Sequence, residues 1–148
     1  MSKIENNNVF QILIVVRDVD KAAKELSGLF GIPVPPAVIL DPEEIAHGKY
    51  RGKPTRTRAK IIPFKMGSID VELIQPDKEP SIWNEILETR GEGVCHMGIK
   101  VKDVNETVKS LEAKGVVAAQ RADFPGGRYA IMDTFKDLGI NLMVKQGG

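Results

Sequence analysis

Cysteine is nearly absent: Cys95 stands alone in 148 residues, so no internal disulfide can form. That excludes a disulfide scaffold and points to a reducing, cytoplasmic setting. Charge imbalance is also missing. Lys and Arg total 21 against 20 Asp and Glu, a net charge of +1, so no strong field draws the chain onto nucleic acid or an anionic membrane. No window has the apolar length of a membrane span, and the opening MSKIENNNVF lacks the apolar stretch of a secretory leader. Glycine-rich phosphate loops, paired CxxC motifs and an HExxH helix are absent. What is there is ordinary for a globular protein: 42% hydrophobic and 28% charged residues, enough for one domain, residues 1–148, with a real core.

The most informative positive feature is an internal repeat. Aligning FQILIVVRDVDKAAKEL (10–26) with CHMGIKVKDVNETVKSL (95–111), at an offset of 85, gives the identical pairs Ile14/Ile99, Val16/Val101, Asp18/Asp103, Val19/Val104, Lys24/Lys109 and Leu26/Leu111. Aligning IDVELIQ (69–75) with INLMVKQ (140–146), at an offset of 71, matches both Ile and both Gln. Two copies are too few for a solenoid and suggest a pseudo-twofold pair around a shared surface. Each copy begins with a β-rich run (10–16, 95–101). An Asp that can cap a helix follows, then apolar residues at helical spacing, then Gly31 or Gly115 where a helix ends. Extended segments come next: near 37–40, then 57–66 and 69–76 in the first copy, and 116–122, 128–134 and 139–146 in the second. The pattern predicts an α+β domain of two β-α-β-β-β modules, about 9–76 and 94–146, joined by a helix at about 81–90. Residues 33–56, rich in Pro, Gly and charge, read as a long loop.

Alternation along strands assigns faces. The consistently apolar sets Ile12/Ile14/Val16, Met97/Ile99/Val101, Ile69/Val71/Leu73 and Ile140/Leu142/Val144 are expected under the helices. That leaves Gln11, His96, Glu72 and Met143 at equivalent positions on the other face, where they converge if the modules curve together. Strict alternation also turns Cys95 away from His96, which excludes a Cys–His nucleophilic pair. Trp83 reads as a packing anchor of the connecting helix.

With these residues in view, the chain resembles the vicinal oxygen chelate superfamily, in particular the branch of methylmalonyl-CoA epimerase and glyoxalase I. QILIVVRDVDKA, VELIQP with a short helix and RGEGVCHMGIKVKDV, then GGRYAIMDT and LGINLMVKQ, follow that branch's order over roughly 9–146. The resemblance implies a cupped mixed sheet with helices outside and a possible homodimer. It also implies a divalent cation held by one residue from the first and last strand of each module, here Gln11, Glu72 and His96. The fourth position, Glu in the family's enzymes, is Met143, a soft donor unable to carry a proton near neutral pH.

Two oxygens and one nitrogen suit Mg, Mn, Co, Ni or Zn, and such a cation supports removal of a proton α to a carbonyl. The implied activity is that of a lyase or isomerase acting on a small acyl thioester or α-carbonyl compound, with Glu72 as ligand or base. In the alternative, His96 and Glu72 are hydrogen-bonded cavity residues without metal, and the protein binds a small molecule without catalysis. Arg58 and Lys60, from the basic run 49–60, are candidates for a substrate anion or for a solvated edge. Arg128 is a candidate anion contact or part of a plain turn, and Met143 is a wall of the substrate pocket.

Overall fold

The computed structural model describes residues 4 and 6–148. Residues 1–3 and 5, part of the stretch read above for a leader, lie outside it. Among the described residues, ten strands form one mixed sheet.

The first module consists of β1 (Val9–Val15), α1 (Val19–Phe30), β2 (Val38–Ile39), β5 (Ala59–Met66) and β6 (Ile69–Pro76). The second consists of β7 (Gly93–Lys100), α4 (Val104–Glu112), β8 (Ala118–Phe124), β9 (Gly127–Met132) and β10 (Asn141–Gln146). Between β2 and β5 lie α2 (Glu43–Ala46), β3 (Lys49–Tyr50) and β4 (Lys53–Pro54). The connecting helix is α3 (Ile82–Arg90), and a short α5 (Phe135–Leu138) precedes β10. The sheet order β2-β5-β6-β1-β7-β10-β9-β8 has the same order in each half outward from its centre, where β1 and β7 run antiparallel. β1 pairs with β6, and β7 with β10, in parallel.

The repeat's identities are capping positions. Asp18 accepts from Lys21 N and Asp103 from Glu106 N, each at 3.1 Å. Gln75 Oε1 accepts the N–H of Val19, and Gln146 Oε1 that of Val104, each at 2.9 Å. Each helix start thus has two of its orphan donors satisfied by matched residues of its own module. Gly31 and Gly115 take positive φ of 63° and 88° at the ends of these helical segments, as expected of helix ends.

Three apolar clusters hold the domain. α1 buries Val19 and Ala23 against Ile62, Phe64 and Leu73. α4 buries Val104 and Val108 against Ala130, Met132, Leu142 and Val144. The third lies on the opposite face of the sheet, where Ile82, Trp83 and Ile86 of α3 meet Leu13, Val15, Ile74, Cys95, Ile131 and Met143.

The segment expected as a long loop instead carries structure across the molecule. From β2, at the first module's edge, the chain passes through α2 to a β3–β4 hairpin that adds to β8, at the second module's edge. Arg51 fixes it there: its N–H donates to Ala119 O at 2.8 Å, and its guanidinium forks onto Glu85 at 2.9 and 2.8 Å and reaches Asp133 at 3.0 Å. Tyr50 OH donates to the same Glu85. Charge patterning along the sequence reads these residues as solvated; their partners are distant in the chain.

Candidate functional site

The curled sheet, α3 and the bridging segment enclose an open cavity of about 300 Å³. Gln11, Glu72, His96 and Met143 all line it. They occupy the four central strands β1, β6, β7 and β10, as the repeat implies. Leu13, Ile61, Pro63, Trp83 and Tyr129 supply apolar wall, with Leu40, Ala46 and Thr55 from the bridging segment.

Two bulges aim the central pair. Across β1 and β7, Val9 faces Ile99 but Gln11 faces Gly98, and Leu13 faces His96 but Ile14 faces Val94. Phe10 and Cys95 are therefore the extra residues, and they are equivalent in the repeat. A bulge sets two successive side chains on one side of the sheet. Phe10 and Gln11 both meet the inner face, and so do Cys95 and His96. This corrects the expectation that Cys95 turns away from His96. Cys95 is still no nucleophile: its Sγ donates to Leu13 O at 3.4 Å, and burial pushes its pKa well above the usual thiol range.

His96 Nε2 lies 2.9 Å from Gln11 Oε1, and the Gln11 side chain also acts on Glu72, lowering its pKa slightly. An amide oxygen only accepts, so the imidazole proton sits on Nε2. His96 Nδ1 is buried without a partner. Full burial pushes the His96 pKa down to about 3, which keeps the ring neutral. Burial raises the Glu72 pKa, with a smaller push from Asp70. The positive charge of Lys145 and, less, the Gln11 side chain oppose it.

The chemistry of this donor set fits a divalent cation at three corners. The 2.9 Å between Gln11 Oε1 and His96 Nε2 matches the ~3 Å separation of adjacent ligands around an octahedral ion with bonds of about 2.1 Å. Neutral His96 has a ligating lone pair once its proton shifts to Nδ1, and Glu72 brings negative charge. Met143 does not fit a hard cation. Its Cε fills the space above Gly98, where an added Cβ would lie 3.0 Å away. Among the described residues no group of three His, Cys, Asp or Glu comes together, so such a site depends on the Gln11 amide oxygen.

The other candidates lie elsewhere. Arg58 donates to Leu40 O, and Lys60 pairs with Asp20 at the start of α1. Arg128 lies 3.6 Å from Asp123. None of the three lines the cavity. Along β5 the alternation gives Ile61 and Pro63 to the cavity and leaves Lys60 with Ile62 and Phe64 on the α1 side. Arg121 and Lys145 line it instead, as does Trp83, which is both core and wall. For Lys145 the sequence did carry a signal, since it lies two residues past Met143 on the same strand face.

Paired modules with one side chain from each central strand in a shared hollow define a class of duplicated folds. A family profile described as the Glyoxalase/Bleomycin resistance protein/Dioxygenase superfamily matches residues 10–140, and the chain belongs to that superfamily. Among solved structures, a hypothetical protein from Bacillus halodurans C-125 superposes with a TM-score of 0.68 at 19% identity, covering 97% of this chain and 96% of its own. A methylmalonyl-CoA epimerase in complex with methylmalonyl-CoA and NH4+ gives 0.64 at 18%, over 95% and 94%. The methylmalonyl-CoA epimerase of Mycobacterium tuberculosis gives 0.64 at 14%, over 100% and 93%. At these identities the likeness shows the fold. No curated protein matches the chain. Among the described residues no helix is long and apolar enough to cross a membrane.

Proposed function

We propose that the protein is a lyase or isomerase that moves a proton α to the carbonyl of a small acyl thioester or α-carbonyl substrate. The observation that carries this reading is Glu72: a carboxylate that shares a cavity of apolar walls with Gln11 and His96, its pKa raised by burial. Raising a carboxylate toward neutrality makes it a stronger base and lets it return the proton as an acid. Gln11, His96 and, when it is not the base, Glu72 would hold a divalent cation such as Zn, Ni, Co, Mn or Mg. When bound, such an ion supplies Lewis-acid stabilisation of an enolate. Leu13, Ile61 and Pro63 exclude water, and Glu72, when it is not held as a ligand, takes the α-proton and gives it back.

The test is α-proton exchange into deuterated water with methylmalonyl-CoA and with a glyoxal–thiol adduct, each cation supplied in turn. Exchange that disappears in Glu72→Gln is expected; no exchange with either substrate under any cation overturns the reading. Met143 packed over Gly98 favours a second reading, a non-catalytic small-molecule-binding protein. That reading predicts ligand binding with neither stoichiometric metal nor exchange. Cytoplasmic residence, supported by the lone buried Cys95, and a homodimer, supported by exposed Leu29 and Phe30 beside each other at the end of α1, complete the proposal. Cell fractionation and sedimentation test them.

A further inference from the structure

The two modules contribute opposite charge to the cavity. At the repeat offset of 71, Glu72 of β6 corresponds to Met143 of β10, and Ile74 to Lys145. The first module therefore presents an acid followed by an apolar residue on its inner face, and the second an apolar residue followed by a base. Lys145 lines the cavity. Its Nζ lies 5.8 Å from the centroid of Phe10 and 5.1 Å from that of Phe124. These rings can steady an ammonium while leaving its N–H donors free. Among the described residues no salt bridge holds it, unlike Lys60 and Arg51, and the carboxylate its charge acts on is that of Glu72. The other charged groups on the wall are differently placed. Arg121 donates to Asn105, Asp123 holds His47 and Arg128, and Asp41 belongs to the bridging segment.

We infer that Lys145 is a specificity-determining residue whose ammonium receives a carboxylate of the ligand, so that the cavity selects small, apolar-bodied acids over their neutral isosteres. An ammonium in a partly desolvated, apolar-walled hollow favours a carboxylate, because a charge-assisted hydrogen bond is roughly twice as strong as a neutral one. The carboxylate end lies against module two, and the rest of the ligand extends toward Glu72. The inference rests on the cavity being the ligand site, which both readings above share, and not on proton transfer or metal.

Trp83 is the sole tryptophan and lines the same cavity, so its fluorescence reports occupancy. The probes are isobutyrate and its isostere isobutyramide, titrated with and without EDTA into the wild type, Lys145→Met and Lys145→Arg. Isobutyrate is expected to bind about tenfold more tightly than the amide, with the preference unchanged by EDTA. It should fall to the amide's level in Lys145→Met and be kept in Lys145→Arg, which also shows that the fold tolerates change there. Equal affinities, no binding of isobutyrate, a preference abolished by EDTA, or one that survives in Lys145→Met would each overturn the inference. Carboxylate selectivity without α-proton exchange would uphold it while rejecting the enzymatic reading.

Discussion

Glu72 and His96 are held in the form that burial favours, and each leaves a pH signature. The Glu72 pKa is raised, so its contribution to stability is present below its unfolded pKa and is lost as pH rises through the folded one. Glu72→Gln is therefore expected to melt higher than the wild type at neutral pH, the gap closing below about pH 4. Thermal melts across pH check this. For His96 the folded pKa, about 3, lies below the ordinary 6.5. The unfolded chain binds the proton first, so stability falls as pH drops from about 6.5 toward 3. His96→Gln should flatten that limb of the urea midpoint against pH. The period-two arithmetic of the strands placed Gln11, Glu72, His96 and Met143 because, away from a bulge, a residue's face follows from its position. It could not say whether Arg58, Lys60 or Arg128 face the cavity, since their direction depends on which face meets a helix and which acid lies across from them.

At the scale of elements, the helices begin where matched side chains satisfy their first N–H groups. Gln75→Ala and Gln146→Ala, which strand the N–H of Val19 and Val104, should each cost about 1 kcal/mol. Chemical unfolding of the two variants should give similar losses, because the positions are equivalent. A loss confined to one would break the symmetry argument. Strand and helix positions were legible because apolar periodicity and Asp caps are local. The bulges at Phe10 and Cys95 were not, since a bulge is defined only against the opposing strand. Beyond the extended stretch expected near 37–40, the segment 33–56 read as loop because strands as short as β3 and β4 carry no periodic signal; β3 exists through pairing with β8.

For the molecule as a whole, the bridge from one edge of the sheet to the other closes the cup. Arg51→Met removes the fork to Glu85 and the contact with Asp133. Amide hydrogens of residues 49–53 should then exchange faster, with the central strands unchanged, as expected when a local unit opens by itself. Ligands of the cavity should bind more weakly in the same variant. Met143→Glu would complete the ring of four donors across the pseudo-twofold and should raise divalent-cation affinity at least tenfold, read by calorimetry. No gain would show that Gln11, Glu72 and His96 do not share an ion.

The duplication, the β-α-β-β-β plan and the inward-facing residues of four strands are all readable in one dimension. Each follows from spacing along the chain, and spacing survives without coordinates. Only folding brings Gln11 within a hydrogen bond of His96, sets Lys145 in the same hollow as Glu72 and carries a segment read as loop across it. These depend on curvature and on pairings between residues far apart in the chain, which no local pattern encodes.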